Sequence, residues 1–336
     1  MSYPKILLSH GSGGRLTHAL IQDIFVRRFK NPILGELSDS ARLDGLPKTI
    51  AFTCDAFVVS PIFFSGGDIG KLAVCGTIND LVMQGAVPEY LSLALIIEEG
   101  LEYKVLESIA DSISRTARLA RVLIVTGDTK VVEKNAADKV FITTSGIGRI
   151  MKGRHLSVKN IEPGDKIIVT GDIACHGLAV LSGRKDLNLG FTIKSDCAFL
   201  HTLLIPVLEK YSAIKFMRDP TRGGLATTLN EVAEAGGLGI TIEEGHIPLA
   251  ANARAACELL GIDPLYIACE GRAIMVVEKD KASDILSILR RHPLGRNARI
   301  IGSVTKGLRA KVILNTRLGT RRIVDMLTSE PLPRIC

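Results

Sequence analysis

Tryptophan is missing from the 336-residue chain and aromatic residues make up only 4% of it, which argues against stacking platforms for single-stranded nucleic acid. Cys-x-x-Cys pairs are missing too. The odd count of seven cysteines shows no zinc-type spacing, and this usage fits a reducing cytosol. No apolar run nears the roughly 18 residues that a bilayer span needs. The opening "MSYPKILLSHGSGG" has no secretory pattern, so a soluble cytoplasmic protein is expected. Neither Gly-x-x-x-x-Gly-Lys-Ser/Thr nor Gly-x-Gly-x-x-Gly occurs; a P-loop and a dinucleotide fingerprint are both excluded. The net charge of +7 comes from scattered basic residues. That balance leaves room for a polyanionic small molecule and shows no stripe for nucleic acid.

What is present is glycine, aspartate and alternating strands and helices. The 46% apolar share supports ordinary cores, and the length suits two domains. β-Branched runs at 49–53, 122–126 and 140–150 predict strands, followed by a turn-rich stretch through 151–160. Strand patterns resume at 166–170, 238–242, 273–277 and 311–316, with helices over 225–235 and 281–292. This predicts an α+β chain with domains over 1–150 and 155–325. Residues 326–336 form a proline-containing tail, expected to be flexible and extended. Its eight steps from Thr328 to Cys336 span roughly 26–29 Å at most.

Residues 69–83 read as a helix apolar nearly all round, interrupted by Lys71, Thr77, Asn79 and Asp80. A carboxylate there needs a cap, an ion pair or a cation. Asp39, Asp55, Asp128 and Asp219 sit at expected strand or loop ends, and hard oxygens without clustered His or Cys point to Mg²⁺ beside phosphate. Two glycine loops supply backbone N–H groups for such an anion. One is "HGSGGR", carrying His10, Gly11, Gly13, Gly14 and Arg15; the other is "DPTRGG", with Thr221, Arg222 and Gly223 ahead of a helix. Glu270 lies between apolar segments, either as a base with a raised pKa or as a partner for Arg272. Lys130 follows Gly-Asp-Thr and either reaches phosphate or is exposed.

The strings "HGSGGR", "SDSA", "TCDAFVVSP", "GGDIGKLAVCGTINDL", "VTGDTKVVE", "DPTRGGLA", "ACELLGIDPLY" and "LPRIC" run in order along the whole chain. They resemble the HypE hydrogenase maturation factors, a branch of the superfamily of aminoimidazole ribonucleotide synthetase and selenophosphate synthetase. The resemblance implies a two-domain PurM-like fold in which N-terminal domains pair into a dimeric β-barrel, followed by a C-terminal α/β sandwich domain. It implies ATP and Mg²⁺ as cofactors, a homodimer, and as partners the carbamoyltransferase HypF and the HypC–HypD iron scaffold complex. The implied reaction dehydrates an S-carboxamide on Cys336 to a thiocyanate, the source of hydrogenase cyanide ligands. Asp55, Asp80 and Asp219, with Asp39 and Asp128 beside them, are implied around the metal and phosphates; Lys130 and Glu270 are implied at the carboxamide. Two departures stand out. Ala174-Cys175-His176-Gly177 replaces a family Gly-Asp-His-Gly, and Arg272 stands where lysine is expected. A synthetase for a free amide and a nucleotide-binding scaffold with a docking tail are the competing readings.

Overall fold

β-Branched runs make the sheets, and glycines let the helices lie close on them. The computed structural model describes residues 5–11, 15–35, 43, 45, 47–184, 190–327, 332 and 334–336. Short helices α1 (Arg15–Leu20) and α2 (Pro32–Gly35) precede β1 (Ile50–Phe57) and the small hairpin β2 (Phe63–Phe64) and β3 (Gly67–Asp68). Helix α3 (Ile69–Met83), β4 (Ala86–Glu98), α4 (Tyr103–Ala120), β5 (Leu123–Val132) and β6 (Val140–Ile150) follow. The strands of this half form a four-stranded sheet ordered β1-β6-β4-β5, parallel only between β4 and β5.

Strand alternation gives the sheet two different faces. On β6, Val140, Ile142, Thr144, Gly146 and Gly148 are buried while the residues between them are partly exposed. Helix α3 lies over the buried face. Gly146 makes this possible, because a Cβ there would stand 2.7 Å from Thr77 Cγ2 and 3.0 Å from Leu81 Cδ1. Asp68 caps the helix, accepting from the Gly70 and Lys71 N–H groups at 2.8 and 3.0 Å. Its other oxygen takes the Ser112 hydroxyl of α4 at 2.6 Å, so cap and neighbour are locked together.

The second half holds β7 (Lys166–Val169), α5 (Cys175–Ser182), α6 (His201–Lys210), β8 (Ile214–Arg218), α7 (Gly224–Gly236) and β9 (Gly239–Glu243). It continues with α8 (Ala251–Leu260), β10 (Ile274–Val277), α9 (Ala282–Arg291), β11 (Arg299–Thr305), β12 (Val312–Asn315) and β13 (Arg321–Val324). These strands form a seven-stranded sheet ordered β13-β12-β9-β11-β7-β10-β8. All its pairings are antiparallel except β9 with β12. Among the described residues no helix is long and apolar enough to cross a membrane.

Helix α3 is apolar nearly all round because it is covered from several directions: by β1, β6 and β4, by α4, and by α6 and β8 of the second half. Asn79 is its junction with that half. The Asn79 amide nitrogen donates to the Ala198 and Glu270 carbonyls, both at 3.0 Å, and its oxygen accepts from the Leu200 N–H at 2.7 Å. At 1% exposure no water can replace these bonds.

One expectation needs correction. Asp55 and Asp128 are not at strand ends; both lie inside strands, since β1 runs on to Phe57 and β5 to Val132. The ladders with β6 and β4 carry both strands past them.

Replacing Asn79 by Ala leaves buried donors and acceptors of both halves unpaired. We expect a loss of about 3 kcal/mol in urea-unfolding stability; a loss below about 1 kcal/mol would show that the amide does not join the halves.

Candidate active site

The carboxylates predicted from scattered positions meet in one cleft of about 630 Å³, lined by Asp55, Asp80, Asp219, Thr221 and Arg222 among others. Register explains the first: Asp55 pairs with the buried Thr144 of β6 and shares its helix-facing side. Thr77 of α3 donates its hydroxyl to Asp55 Oδ2 at 3.0 Å and meets the Thr144 hydroxyl at 2.5 Å. Asp80 stands three residues beyond Thr77, hence on the same helix face, and its Oδ2 accepts from the Thr53 hydroxyl at 2.9 Å. Asp219 follows β8 and brings the second half to the cleft.

Crowding of like charge shows in the proton affinities. Burial, then the charge of Asp80, pushes the Asp55 carboxyl up to about 6. The same two causes push Asp219 up to about 7. Glu270 is 2% exposed. Burial first, then Asp219, Asp196 and Asp80, raises its pKa well above the usual carboxylate range. A Cβ added to Gly76, one turn before Asp80 on α3, would lie 3.9 Å from Glu270 Oε2. The Glu270 carboxyl therefore sits over the same helix.

Arg272 is not its partner. The guanidinium is held by the Asp172, Gly271 and Leu294 carbonyls at 3.0–3.4 Å and lies 3.7 Å from Asp196. It braces the turn after Glu270. Gly271 is required there, because a Cβ would fall 1.9 Å from the Asp196 carbonyl oxygen.

Within one chain Lys130 and Asp128 do not join this group. They pair with each other on β5 at 3.5 Å, both well exposed. β5 and β1 are opposite edges of the sheet, and the register puts Asp128 and Lys130 on the face away from α3. His10 is buried in a turn packed on β5, its Nδ1 accepting from the Leu7 N–H at 3.0 Å. Gly11 ends that turn and Arg15 opens α1; Gly13, Gly14 and Asp39 lie outside the described residues. Gly223 and Gly224, with φ of +64° and +62°, turn the chain into α7 beside Arg222, a conformation that disfavours any side chain.

The described end of the chain, residues 332 and 334–336, is docked between the two halves. The Val58 and Ser60 N–H groups donate to the Cys336 and Arg334 main-chain oxygens, both at 3.1 Å. Arg334 reaches back to the Val58 carbonyl at 3.0 Å and to Asp138 at 2.7 Å. Ile335 and Leu332 are buried, and Cys336 is half-buried. Sequence reading missed Thr53, Thr144 and Ser195 as supporting groups. A hydroxyl in a strand (Thr53, Thr144) or a connecting segment (Ser195) carries no mark of what it faces until register and packing are known.

Residues 38–150 match the family model of the AIR synthase related protein N-terminal domain, and residues 162–315 that of its C-terminal domain. The carbamoyl dehydratase HypE of Cupriavidus necator is 46% identical over 334 residues, spanning 99% of this chain and 95% of that protein. The crystal structure of the hydrogenase maturation protein HypE in complex with ATP matches with a TM-score of 0.95 at 46% identity, covering 98% of this chain and 99% of that one. The structure of a HypE–HypF complex matches with a TM-score of 0.80 at 46% identity, covering 92% and 100%. The PurM-like α+β fold follows, and the chain belongs to the HypE family of hydrogenase maturation proteins.

Proposed function

We propose that this chain is an ATP-dependent carbamoyl dehydratase that converts the S-carboxamide on its own Cys336 to a thiocyanate for hydrogenase maturation. The carrying observation is the seam itself: the tail ending in Cys336 lies along residues 58–60, immediately after the strand that holds Asp55. ATP, when bound, supplies the phosphoryl group that turns the carboxamide oxygen into a leaving group. Asp55, Asp80 and Asp219 would hold Mg²⁺ on its phosphates, with Thr221, Arg222 and the first glycine loop around them. The donor set fits that ion. It offers hard carboxylate oxygens, yet among the described residues no group of His, Cys, Asp or Glu closes on a metal unaided. Mg²⁺ shared with phosphates needs only one or two carboxylates.

Glu270 is the base in this reading; with Lys130 it would take the two N–H protons that the carboxamide loses, one as the oxygen is phosphorylated and one as phosphate leaves. Burial first, then Asp219, Asp196 and Asp80, raises its proton affinity, and a cation on Asp219 and Asp80 would remove the part due to their charge. Cys336 is a carrier. Loading by HypF and delivery to the HypC–HypD complex complete the cycle; the solved HypE–HypF assembly supports the first of these.

The reading includes a homodimer. On the sheet face away from α3, Phe52 is 67% exposed, and Ile50, Ile96 and Leu123 are about 40% exposed. Among the described residues β1 and β5 are also unpaired edges. Two such sheets joined edge to edge close into a barrel that buries both liabilities. That closure brings Lys130 and Asp128 of one copy to the Asp55 edge of the other. Phe52→Glu should halve the mass seen by sedimentation at micromolar concentration; an unchanged mass would reject the barrel.

Starting from carbamoylated protein and Mg-ATP, mass spectrometry should show the C-terminal peptide losing the mass of one water. Cys336→Ala should abolish the loss with the fold intact, and Glu270→Gln should stop it while keeping ATP binding. An unmodified tail in active wild-type protein would defeat the proposal.

The crowded carboxylates also predict a pH dependence. Asp55 and Asp219 titrate near 6 and 7 when folded against 3.8 ordinarily, so between those limits the folded chain holds the extra protons. Their contribution to stability is full below about pH 4 and is lost as pH rises through about 6 and 7. In thermal unfolding without nucleotide, Asp219→Asn should gain relative to wild type as pH rises from about 5 to about 8. Mg-ATP should shrink that gain. A pH-independent difference would count against the shifts.

A further inference from the structure

We propose that His176 is the positioning residue that registers the docked tail, its Nε2–H holding the carbonyl of residue 335 so that Cys336 comes to rest at one place on the seam. The assignment deepens the proposed function, in which the sulfur of Cys336 carries the reactant.

The bonding pattern leaves one arrangement of protons. His176 is fully buried at the start of α5. Its Nε2 lies 2.8 Å from the Ile335 carbonyl oxygen and its Nδ1 lies 2.8 Å from Ser195 Oγ. A carbonyl only accepts, so Nε2 carries the hydrogen. Burial lowers the pKa of the ring, which keeps it neutral and leaves Nδ1 as an acceptor. The Ser195 hydroxyl must then donate to Nδ1, and its oxygen accepts from the Cys197 N–H at 3.0 Å. The relay runs in one direction, from Cys197 N–H through Ser195 to His176 and on to the tail.

The surroundings hold the ring rigid and shape the groove. Phe64 meets it edge-on with centroids 5.3 Å apart, and the Ser65 carbonyl accepts from the Ser195 N–H at 2.8 Å. Gly177 lets α5 lie close on Ile267, where a Cβ would sit 2.5 Å from Cγ2, and Leu332 of the tail packs beside it, 3.6 Å from that Cβ position. The other anchors of the tail reach residues 334 and 336 from Val58, Ser60 and Asp138. Among the described residues it is His176 that grips residue 335, and it does so through the backbone, which reads register whatever the side chain. If the tail leaves, a buried donor loses its partner. One neutral hydrogen bond is also weak enough to release a segment that must visit other proteins.

The test uses the intact chain. His176→Asn keeps an amide near the Nδ1 position but removes the donor at Nε2, whereas His176→Gln places an amide nitrogen there. Iodoacetamide should alkylate Cys336 about tenfold faster in His176→Asn than in wild type, the effect of losing one such bond. His176→Gln should stay near the wild-type rate, and peptide mass spectrometry reads both. Equal Cys336 rates in all three proteins overturn the latch. So does a parallel rise at buried Cys269 in both variants, which marks general loosening. Should His176→Asn fail to fold, ¹⁵N-histidine spectra of wild type decide: removing Leu332–Cys336 should shift one Nε2–H signal, and an unchanged spectrum overturns the assignment. Alkylation needs neither ATP nor a carbamoyl group. A protein that never dehydrates its tail but still exposes Cys336 in His176→Asn defeats the proposed function and leaves the latch standing.

Discussion

A carboxamide buried in a helix joins the two halves of this molecule. Asn79 projects from α3 and takes up the carbonyls of Ala198 and Glu270 and the N–H of Leu200. Because Asp80 is the next residue on the same helix, the amide that grips the second half also sets how far Glu270 stands from the carboxylates of the first. An unpaired amide in that place would cost more than its bonds return, so the halves and the chemistry are held in one register. Helix α3 is thereby both the core of the first half and the floor of the cleft.

The electrostatics follow from that placement. Asp55, Asp80 and Asp219 share one cleft, and Glu270 lies buried behind them. Burial and like charge make the arrangement retain protons. The hydroxyls of Thr53 and Thr77 hold two of the carboxylates in place by donating to them. Arg272 does not neutralise the group. Its guanidinium is spent on carbonyls and on Asp196.

The tail lies against the same seam, gripped by main-chain bonds from Val58 and Ser60, by Arg334 with Asp138, and by His176. The Arg334–Asp138 pair is more than a third exposed on both sides, so its contribution is small. The buried contacts of Leu332 and Ile335 hold the tail more firmly. Docking is thus a sum of modest terms.

Much of this was legible in the order of residues. The apolar run of α3 with its isolated Asn and Asp, the β-branched strands, the glycine turn at Gly223 and the apolar setting of Glu270 are local patterns, and a local pattern survives in a string of letters. So is the proline-interrupted tail that ends in Cys336. Other features depend on pairing register and on packing between segments that are not neighbours along the chain. Asp55 faces α3 because β1 pairs with β6 in one register, and a shift of one residue would turn it to the other face. Lys130 and Asp128 lie across the sheet for the same reason. Ser195 and His176, 19 residues apart, form a relay only with Ile335, 159 residues beyond His176, when the tail docks. The sequence by itself determined which residues are helix, strand and acid, because those depend on neighbours along the chain. The tertiary structure alone decided which of them meet, because hydrogen-bond geometry and burial belong to neighbours in space.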